Sequence, residues 1–522
     1  MSTSLQDRRG AGPERMPRTA TPAAVSRPSA LRRVSRPMTL AVLSLAGAWG
    51  LLAGVWTPRG PLTSGEALWS IAISLGVGLV AGRALRSRWT MLLAPTVFVI
   101  IFELARVGVD GPMVDGLHAS FYGAIALATG RGFHALVSLL PLVLGAAVGA
   151  GMARRHAHDV ETSLPRSPRG VRRTGTVLVA LMLTTLGIGL ARPSTTAPIT
   201  GQDGHLLPGS IAELTTVRIG GHDQGLMIRG TDTDNPVLLF LAGGPGGSEL
   251  GAMRRHLPEL EEHFVVVTWD QRGAGTSYPA LDRTRTLSLE SYVSDTIELT
   301  NHLRRSFEAD DIYLLGQSWG TTLGVLAVQR EPDLYRAFIG TGQMVSQRAT
   351  DRIFYDDTVA WAARSGDATL SRQLEQDGPP PYEEMFPYET ALSHEKDVYP
   401  YDHRANSEGA GQMSENLLVQ EYTLIDQVHV LGGFMDTFAA LYPQLQAVDF
   451  RESATTFEVP MFFVQGAHEA RGRREPFEDW YAMVEAPTKG LVVLDSSGHR
   501  PLFEQPEEFV DYLVETVLPS GG

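Results

Sequence analysis

The chain reads Ile312-Tyr313-Leu314-Leu315-Gly316-Gln317-Ser318-Trp319-Gly320 where a short apolar run meets a glycine-flanked serine. The run predicts a buried strand, and helix-forming sequence follows at 321–330. A strand-to-helix turn this tight forces the serine into strained φ/ψ, and the two glycines are needed because neighbouring Cβ atoms would not fit. Ser318 is therefore predicted to project its hydroxyl from the carboxyl edge of a sheet, beside a helix N-terminus that favours developing negative charge.

A histidine and a carboxylate must assist this serine, because a free hydroxyl is a poor nucleophile. His499 lies just past the apolar run 490–494, where the chain order serine, acid, histidine puts the general base. Glu469 lies just past the run 460–464 and is the predicted acid. Asp495 is predicted to cap a turn. Three other carboxylates in this region are alternatives for the acid: Glu475, Glu478 and Asp479.

A glycine-rich loop, Gly243-Gly244-Pro245-Gly246-Gly247, follows the predicted strand 236–241. Glycines let the backbone approach a substrate carbonyl and point N–H groups at its oxygen. Pro245 has no N–H, so we predict an oxyanion hole formed by the N–H groups of Gly244 and Trp319. A phosphate-binding loop is disfavoured, because neither Gly-Lys-Ser/Thr nor Gly-x-Gly-x-x-Gly completes the pattern.

Strand-like runs alternate with helical stretches through the second half of the chain, which is typical of a mostly parallel sheet covered by helices. The predicted strands are 236–241, 264–269, 312–315, 460–464 and 490–494, and the predicted helices include 288–305, 321–330 and 506–517. Between 344 and 450 the sequence is acidic and aromatic, with a helical patch at 417–430. We therefore predict an α/β core made of residues 210–343 and 451–522, with an inserted helical cap at 344–450.

The first 192 residues differ from the remainder. They contain 21 Arg, no Lys and 8 acidic residues, a net charge of +13, whereas residues 193–522 carry −27. A shorter apolar stretch, 119–129, suits an interfacial or re-entrant piece. Five stretches can each cross a bilayer core of about 30 Å as a helix: 38–56, 67–85, 90–107, 134–153 and 174–191. We predict an all-α transmembrane region of about five helices over residues 38–192.

The arginines indicate how these helices are oriented, because Arg and Lys in short loops stay on the cytoplasmic side. The tail 1–37 and the second and fourth loops are rich in Arg, whereas the first and third loops hold only Arg59 and Arg131. This pattern predicts a multi-pass protein of the cell membrane with a cytoplasmic N-terminus. The linker 193–209 and the catalytic domain after it are then extracytoplasmic.

Two spacings within the spans predict contacts. Gly78 with Gly82, and Gly145 with Gly149, put small residues four apart, which permits close helix packing. The third span also contains a possible ion pair, because a glutamate and an arginine lie three apart near its outer end: Glu103 and Arg106.

Composition limits the partners and the chemistry. Cys is absent, which excludes disulfides, thiolate metal sites and a cysteine nucleophile. The acidic second half would repel nucleic acid, and the arginines of the first half do not form one continuous basic face. We predict no nucleic-acid partner, no metal and no cofactor. The predicted partners are the lipid bilayer and a small peptide or ester substrate.

Several motifs together resemble the proline iminopeptidase family of serine peptidases, in the α/β-hydrolase superfamily. They are Gly-Gly-Pro-Gly at 243–246, Asp-Gln-Arg-Gly-Ala-Gly-Thr-Ser at 270–277, Gly-Gln-Ser-Trp-Gly at 316–320 and Gly-His at 498–499. The resemblance implies an α/β-hydrolase core with a helical cap, and a triad that maps onto Ser318, Glu469 and His499. In the second of these motifs, Asp270 and Arg272 are predicted to brace their loop through an internal salt bridge.

The resemblance also implies a substrate. Such enzymes release N-terminal proline, or another small residue, from short peptides, and carboxylates of the cap bind the free amine. The candidates here are Glu383, Glu384 and Glu421. Three residues depart from the family pattern: Ala242 stands where His is usual, Gln317 where Gly is usual and Glu469 where Asp is usual.

Two other functions remain open at this point. An esterase or lipase at the membrane surface would use the same catalytic residues. A non-catalytic membrane receptor or sensor is disfavoured, because a binding pocket alone does not need Ser318, His499 and Gly244 together.

Overall fold

The computed structural model describes residues 36–87, 89–109, 113–158, 169–281, 287–403 and 412–520. Within these ranges eight strands form one sheet: β1 (Ile211–Ile219), β2 (His222–Gly230), β3 (Val237–Leu241), β4 (Val265–Trp269), β5 (Ile312–Gln317), β6 (Tyr335–Thr341), β7 (Met461–Gly466) and β8 (Lys489–Leu494). Their order is β1-β2-β4-β3-β5-β6-β7-β8. Strands β3 to β8 are parallel, and β1 and β2 extend the sheet in antiparallel fashion beside β4.

The five predicted strands correspond to β3, β4, β5, β7 and β8. A parallel strand that is buried on both faces is a continuous apolar run, and β3 and β4 are buried at every position. The sequence analysis does not predict β1, β2 or β6. Strand β1 is at the edge of the sheet and partly exposed, and the apolar run of β6 contains Arg336 and Gly340.

The N-terminal part is helical. Its helices are α1 (Arg36–Trp56), α2 (Ser64–Leu85), α3 (Thr90–Arg106), α4 (Phe121–Leu127), α5 (Phe133–His158) and α6 (Arg169–Ala191). The five stretches predicted as spans correspond to α1, α2, α3, α5 and α6. Four helical segments of the described chain are long and apolar enough to cross a membrane: Arg36–Trp56, Ser64–Leu85, Phe121–Arg154 and Thr174–Ala191. The remaining helix, α3, has 17 residues, about the shortest length that can span.

The apolar stretch 119–129 is largely helical and is continuous with the fourth predicted span. Helix α4 begins after Ser120, whose side chain accepts a hydrogen bond from the N–H of Gly123. A π-helical turn, Ala128–Gly132, then joins α4 to α5. The resulting apolar helix of 34 residues is longer than the roughly 20 that a bilayer needs, and its first turn reaches the α/β domain.

Helices cover the sheet and form the cap. Among the described residues of the α/β domain, three α-helices precede β6: α7 (Leu250–His256), α8 (Leu289–Ser306) and α9 (Trp319–Arg330). Seven lie between β6 and β7: α10 (Gln347–Ser365), α11 (Ala368–Asp377), α12 (Phe386–Leu392), α13 (Glu395–Val398), α14 (Gln412–Leu417), α15 (Leu424–Leu445) and α16 (Phe450–Ser453). Four follow β7: α17 (Arg471–Met483), α18 (Pro501–Glu504), α19 (Pro506–Tyr512) and α20 (Leu518–Ser520).

The cap is helical, as predicted, but the helix expected at 417–430 begins later. Helix α14 ends at Leu417, and α15 begins at Leu424. The cause is a capping box: the Thr423 side chain accepts the N–H of Asp426, whose carboxylate accepts the N–H of Thr423.

Helices α2 and α5 pack closely through the four predicted glycines: Gly78, Gly82, Gly145 and Gly149. A Cβ at Gly78 would lie 2.1 Å from the carbonyl oxygen of Leu142, and one at Gly145 would lie 2.2 Å from that of Leu75. The predicted close packing is confirmed, because only glycine fits at these contacts.

Gly78→Ala is expected to destabilise the protein, because the added methyl would force α2 and α5 apart. The expected loss in free energy of unfolding is about 1–3 kcal/mol, as for other over-packed sites. Melting of the protein in detergent micelles measures it. Gly76→Ala, on the same helix, is the control, because a Cβ there meets nothing within 4 Å. Equal melting temperatures for the two variants would contradict the packing.

Candidate active site

The predicted site residues converge at the carboxyl ends of nearby strands. Ser318 follows β5, Glu469 follows β7 and His499 follows β8, while the glycine loop 243–247 follows β3. These four strands are successive in the sheet except that β6 lies between β5 and β7. Parallel strands end at the same edge, so residues far apart in sequence meet there.

Ser318 occupies the strained turn that the sequence predicts. Its φ is 52° and its ψ is −118°, a region that L-residues rarely adopt. The following helix packs tightly on β3, since a Cβ at Gly320 would lie 2.0 Å from the carbonyl oxygen of Leu241. The N–H of Ser318 donates to the carbonyl of Thr341 at 3.0 Å, which ties the turn to β6.

Two hydrogen bonds join the predicted triad. His499 Nε2 lies 2.8 Å from Ser318 Oγ, and His499 Nδ1 lies 2.7 Å from Glu469 Oε2. Both distances are within the range needed for proton transfer and for orienting the imidazole. The imidazole can therefore accept the serine proton while the carboxylate fixes its tautomer.

The Glu469 carboxylate is almost fully buried, and Arg473 stabilises its charged form. Its Oε1 accepts Arg473 Nε at 2.7 Å and the N–H of Ala470 at 2.9 Å. Burial alone would raise the pKa of Glu469, but Arg473 and His499 outweigh it and lower the pKa from 4.5 to about 2. Because the pKa is lowered on folding, the stability that this carboxylate contributes is present above pH 4.5 and is lost as the pH falls through about 2.

Arg473 also connects the acid to the cap, and the sequence analysis does not predict this residue. Its guanidinium bonds Glu395 of α13 and lies over the ring of Phe354 on α10, 4.9 Å from the centroid. A glutamate has one more methylene than the usual aspartate, and this buried guanidinium fixes the longer side chain. The only sequence signal was its position one helical turn after Glu469.

The alternative acids lie elsewhere. All three are more than 40% exposed and pair with arginines on the outside of the fold: Glu475, Glu478 and Asp479. Asp495 accepts hydrogen bonds from the side chains of Ser496 and Gln505. It braces a turn, as predicted.

The glycine loop adopts a conformation that requires glycine. Gly244 has a φ of 134° and Gly246 a φ of 88°. The N–H of Gly243 donates to Glu249 Oε2 at 3.1 Å, and the N–H of Gly247 donates to the carbonyl of Gly243 at 3.1 Å. Trp319 is the first residue of α9, so its N–H has no acceptor within the helix. This arrangement is compatible with the predicted oxyanion donors, Gly244 and Trp319.

Asp270 and Arg272 brace their loop, but not through the predicted mutual salt bridge. Asp270 accepts hydrogen bonds from Thr276 and, at 3.0 Å, from the hydroxyl of Tyr422 in the cap. Arg272 pairs instead with Asp295 of α8 at 2.9 Å. Burial raises the pKa of Asp270 to about 6, which agrees with a carboxylate bonded by neutral donors and no cation.

The three cap carboxylates proposed for amine binding do not form a common site. Glu421 is fully buried and pairs with Arg254 at 2.5 Å, so its negative charge is neutralised within the protein. Glu383 and Glu384 are exposed. The prediction is therefore wrong for Glu421, and for Glu383 and Glu384 it stays a prediction.

Comparison with known proteins identifies the family. A family model described as serine aminopeptidase, S33, matches residues 251–506. A probable aminopeptidase of Bacillus subtilis, YbaC, is 31% identical over 307 residues, which are 58% of this chain and 96% of that protein. This chain belongs to the proline iminopeptidase-like serine peptidases of the α/β-hydrolase superfamily.

Other relatives of this S33 family member match shorter segments or only the fold. A probable proline iminopeptidase of Leptolyngbya boryana is 32% identical over 132 residues, 25% of this chain and 39% of that protein. A proline iminopeptidase-related protein of Thermus thermophilus has 19% identity and a TM-score of 0.42, covering 59% of this chain and 99% of that structure. Proline iminopeptidase of Mycobacterium smegmatis has 16% identity and a TM-score of 0.40, with 59% and 99% covered.

The structure gives a physical reason for one departure of this S33 peptidase from its family pattern. The Gln317 side chain donates to the carbonyl of His499 at 3.3 Å, and it contacts Gly243, where a Cβ would lie 2.2 Å from its Oε1. Gln271 has a similar role: it donates to the carbonyl of Ala242 at 3.1 Å and accepts the indole N–H of Trp319 at 2.9 Å. Two amides thus brace the glycine loop against the serine and histidine turns.

Arg473→Gln is expected to lower kcat about 10-fold with KM within about twofold, because Glu469 would lose the partner that orients it toward His499. Arg473→Lys should recover part of this loss. Steady-state kinetics on an aminoacyl arylamide measure both constants. Arg471→Gln is the control, since Arg471 is on the same helix but pairs with Asp357 and Glu475. If both glutamine variants lose kcat equally, Arg473 has no special role in positioning the acid.

Proposed function

We propose that this chain is a membrane-anchored serine hydrolase that works outside the cytoplasm through an acyl-enzyme. Its proposed reaction is the release of N-terminal proline, or another small residue, from short peptides. The observation that carries the proposal is the hydrogen-bonded series Ser318, His499 and Glu469, with the serine in a strained turn at the edge of the sheet.

The proposed chemistry follows from the roles that these atoms can take. Ser318 Oγ attacks the scissile carbonyl carbon while His499 Nε2 takes the hydroxyl proton, and Glu469 stabilises the imidazolium. The N–H groups of Gly244 and Trp319 bind the oxyanion. Collapse breaks the C–N bond, and His499 protonates the leaving amine. Water then repeats the sequence on the acyl-enzyme and frees the amino acid and Ser318.

Membrane anchoring is supported by the apolar helices and by the arginines. Segment Thr174–Ala191 is only 11% buried within the protein although it is strongly apolar, as expected for a helix that faces lipid. The loop with Arg59 adjoins the α/β domain, and Arg131 pairs with Asp115, next to the bond of Val114 to the cap. In contrast, Arg36, Arg86 and Arg154 belong to the opposite helix ends. This distribution favours a cytoplasmic N-terminus and an extracytoplasmic hydrolase.

The nucleophile and the orientation can be tested together. A membrane-impermeant fluorophosphonate probe added to intact cells should label the wild-type protein and should not label Ser318→Ala. Turnover by Ser318→Ala should fall to at most a residual rate of about 10³–10⁴ over water. Labelling that appears only after lysis would contradict the orientation. Persistent labelling of Ser318→Ala would mean that another residue is the nucleophile.

The peptidase reaction depends on a free substrate amine. Prolyl arylamide should be cleaved about 10- to 100-fold better, in kcat/KM, than its N-acetyl derivative, because charge-assisted hydrogen bonds to an ammonium contribute roughly 1.5–3 kcal/mol each. Simple acyl esters of similar size serve as the comparison. If the blocked and free substrates are cleaved equally, or if the esters are far better, the protein is an esterase at the membrane surface instead.

A further inference from the structure

Helix α15 of the cap lies between the membrane bundle and the glycine loop of the active site; the bundle is defined here as α1 to α6 with the loops that join them. On one side, Ile425 is buried among residues of α2, α5 and α6: Ala67, Phe133, Val137 and Leu190. On the other side, α15 abuts Gly246, where a Cβ would lie 2.8 Å from the Cβ of Thr437 and 3.1 Å from the carbonyl oxygen of Gly433. One rigid element therefore contacts both parts.

Polar contacts fix the bundle on this helix. The backbone N–H of Val114, in the loop after α3, donates to Asp436 Oδ1 of α15 at 3.0 Å. The carbonyl oxygen of Pro61, in the loop after α1, lies 3.2 Å from His429 Nε2 of α15. These bonds hold α15 at two points along its length, about two helical turns apart. The position of the bundle loops therefore sets the position of the helix.

The motif loop 270–281 lies in the same contact. The hydroxyl of Tyr278 donates to Asp436 Oδ2 at 3.0 Å, and Arg59 of the bundle donates to the carbonyl of Leu281 at 2.9 Å. Gln271 of this loop bonds the end of β3 and the indole of Trp319. Asp436 thus joins two loops: one of its carboxylate oxygens bonds a loop of the bundle, and the other bonds the loop that braces the active site.

The bundle side of this contact is itself well ordered by ion pairs. The predicted pair of Glu103 with Arg106 is present at 3.3 Å. Asp115 pairs with Arg106 at 2.7 Å and with Arg131 at 2.8 Å, and Arg131 also pairs with Glu103 at 3.0 Å. These four charges close a ring that fixes the segment next to Asp115, from which the bond to α15 is made.

A second carboxylate of the cap also bonds the bundle. Glu389 of α12 accepts the backbone N–H groups of Phe121 and Tyr122, at the start of α4. The first turn of that helix is therefore attached to the cap independently of α15. The bundle and the cap are joined at more than one place, so the bundle cannot shift as a whole without disturbing the cap.

We propose that the membrane bundle is a positioning element of the active site and acts through α15 on the glycine loop 243–247, with Asp436 and Arg59 as its positioning residues. This inference rests on the proposed function. It assigns the bundle a role beyond anchoring: the loops at its outer end hold α15 and the 270–281 loop where the oxyanion donors are aligned. Displacing α15 would disturb the backbone of Gly246, since Thr437 and Gly433 of α15 lie directly against that glycine.

The test uses the full-length protein in lipid nanodiscs. Asp436→Leu, which removes the acceptor at similar volume, and Arg59→Met, which keeps the apolar stem, should each lower kcat about 10-fold with KM nearly unchanged, less than the roughly 100-fold that a 1 Å misplacement can cost. Asp436→Asn should retain most activity, because its amide oxygen can still accept the N–H of Val114. The double variant should lose no more than the worse single variant, since both residues hold the 270–281 loop.

Two controls each remove one buried hydrogen bond within a single part of the fold. Trp49→Phe loses the bond to Ser74 inside the bundle, and Thr300→Val loses the bond to Tyr335 beneath the sheet. Both should lower the melting temperature and leave kcat unchanged. If the controls lose kcat as much as Asp436→Leu does, or if Asp436→Leu and Arg59→Met keep full kcat, the inference is wrong.

A readout independent of turnover separates this inference from the proposed function. Amide hydrogen exchange in 243–249 and 270–281 should become faster in Asp436→Leu and Arg59→Met and stay unchanged in Trp49→Phe. Unchanged exchange in both interface variants would overturn the positioning role, whatever the activity. If the wild-type protein neither turns over substrate nor binds a fluorophosphonate probe, the proposed function fails by itself, while the exchange rates still decide whether the bundle positions the loops.

Discussion

Ser318 is held in a backbone conformation that costs of order 1–3 kcal/mol and persists only where the surroundings over-determine it. Here β5 and the start of α9 are buried, and Gly320 brings the helix against the end of β3. The glycine loop leaves β3 at that same point. One close contact between a helix and a strand therefore sets the positions of the proposed nucleophile and the proposed oxyanion donors together, and a residue larger than glycine at 320 would separate them.

The proposed acid, Glu469, is positioned in a different way, because it lies on a loop and has a longer side chain than the aspartate that is usual in its family. Burial would keep the Glu469 carboxyl neutral, and a neutral acid could not stabilise an imidazolium. Arg473 reverses this by supplying a buried cation, which then needs a second carboxylate, Glu395 of the cap. The charge of Glu469 is thus balanced by Arg473, and Arg473 also pairs with Glu395 of the cap, so the cap takes part in the electrostatics of the site.

The motif residues could be predicted because their signals are local. The pairing of residues far apart in the sequence could not be predicted. The turn around Ser318 is fixed by residues within a few positions, whereas the bond from Arg473 to Glu395 spans 78 residues and no spacing marks it. Asp270 and Arg272 show the same limit: opposite charges two residues apart suggest a pair, yet each has a partner on another element. Strand β6 was not predicted for a related reason. Its burial comes from its neighbours in the sheet, and its own apolar sequence is interrupted by Arg336 and Gly340.

A tether needs only one helix and a linker, whereas here the end of the bundle next to the hydrolase domain makes directional bonds to the cap. At two of these contacts the acceptors are buried carboxylates, Asp436 and Glu389, and the donors are backbone N–H groups. The geometry there is fixed by the backbone of the bundle rather than by flexible side chains of the bundle. Breaking such a bond leaves a buried carboxylate without its donor, which costs more than forming the bond contributes. The docking is consequently specific in orientation, and it fixes the active-site edge of the sheet relative to the bundle.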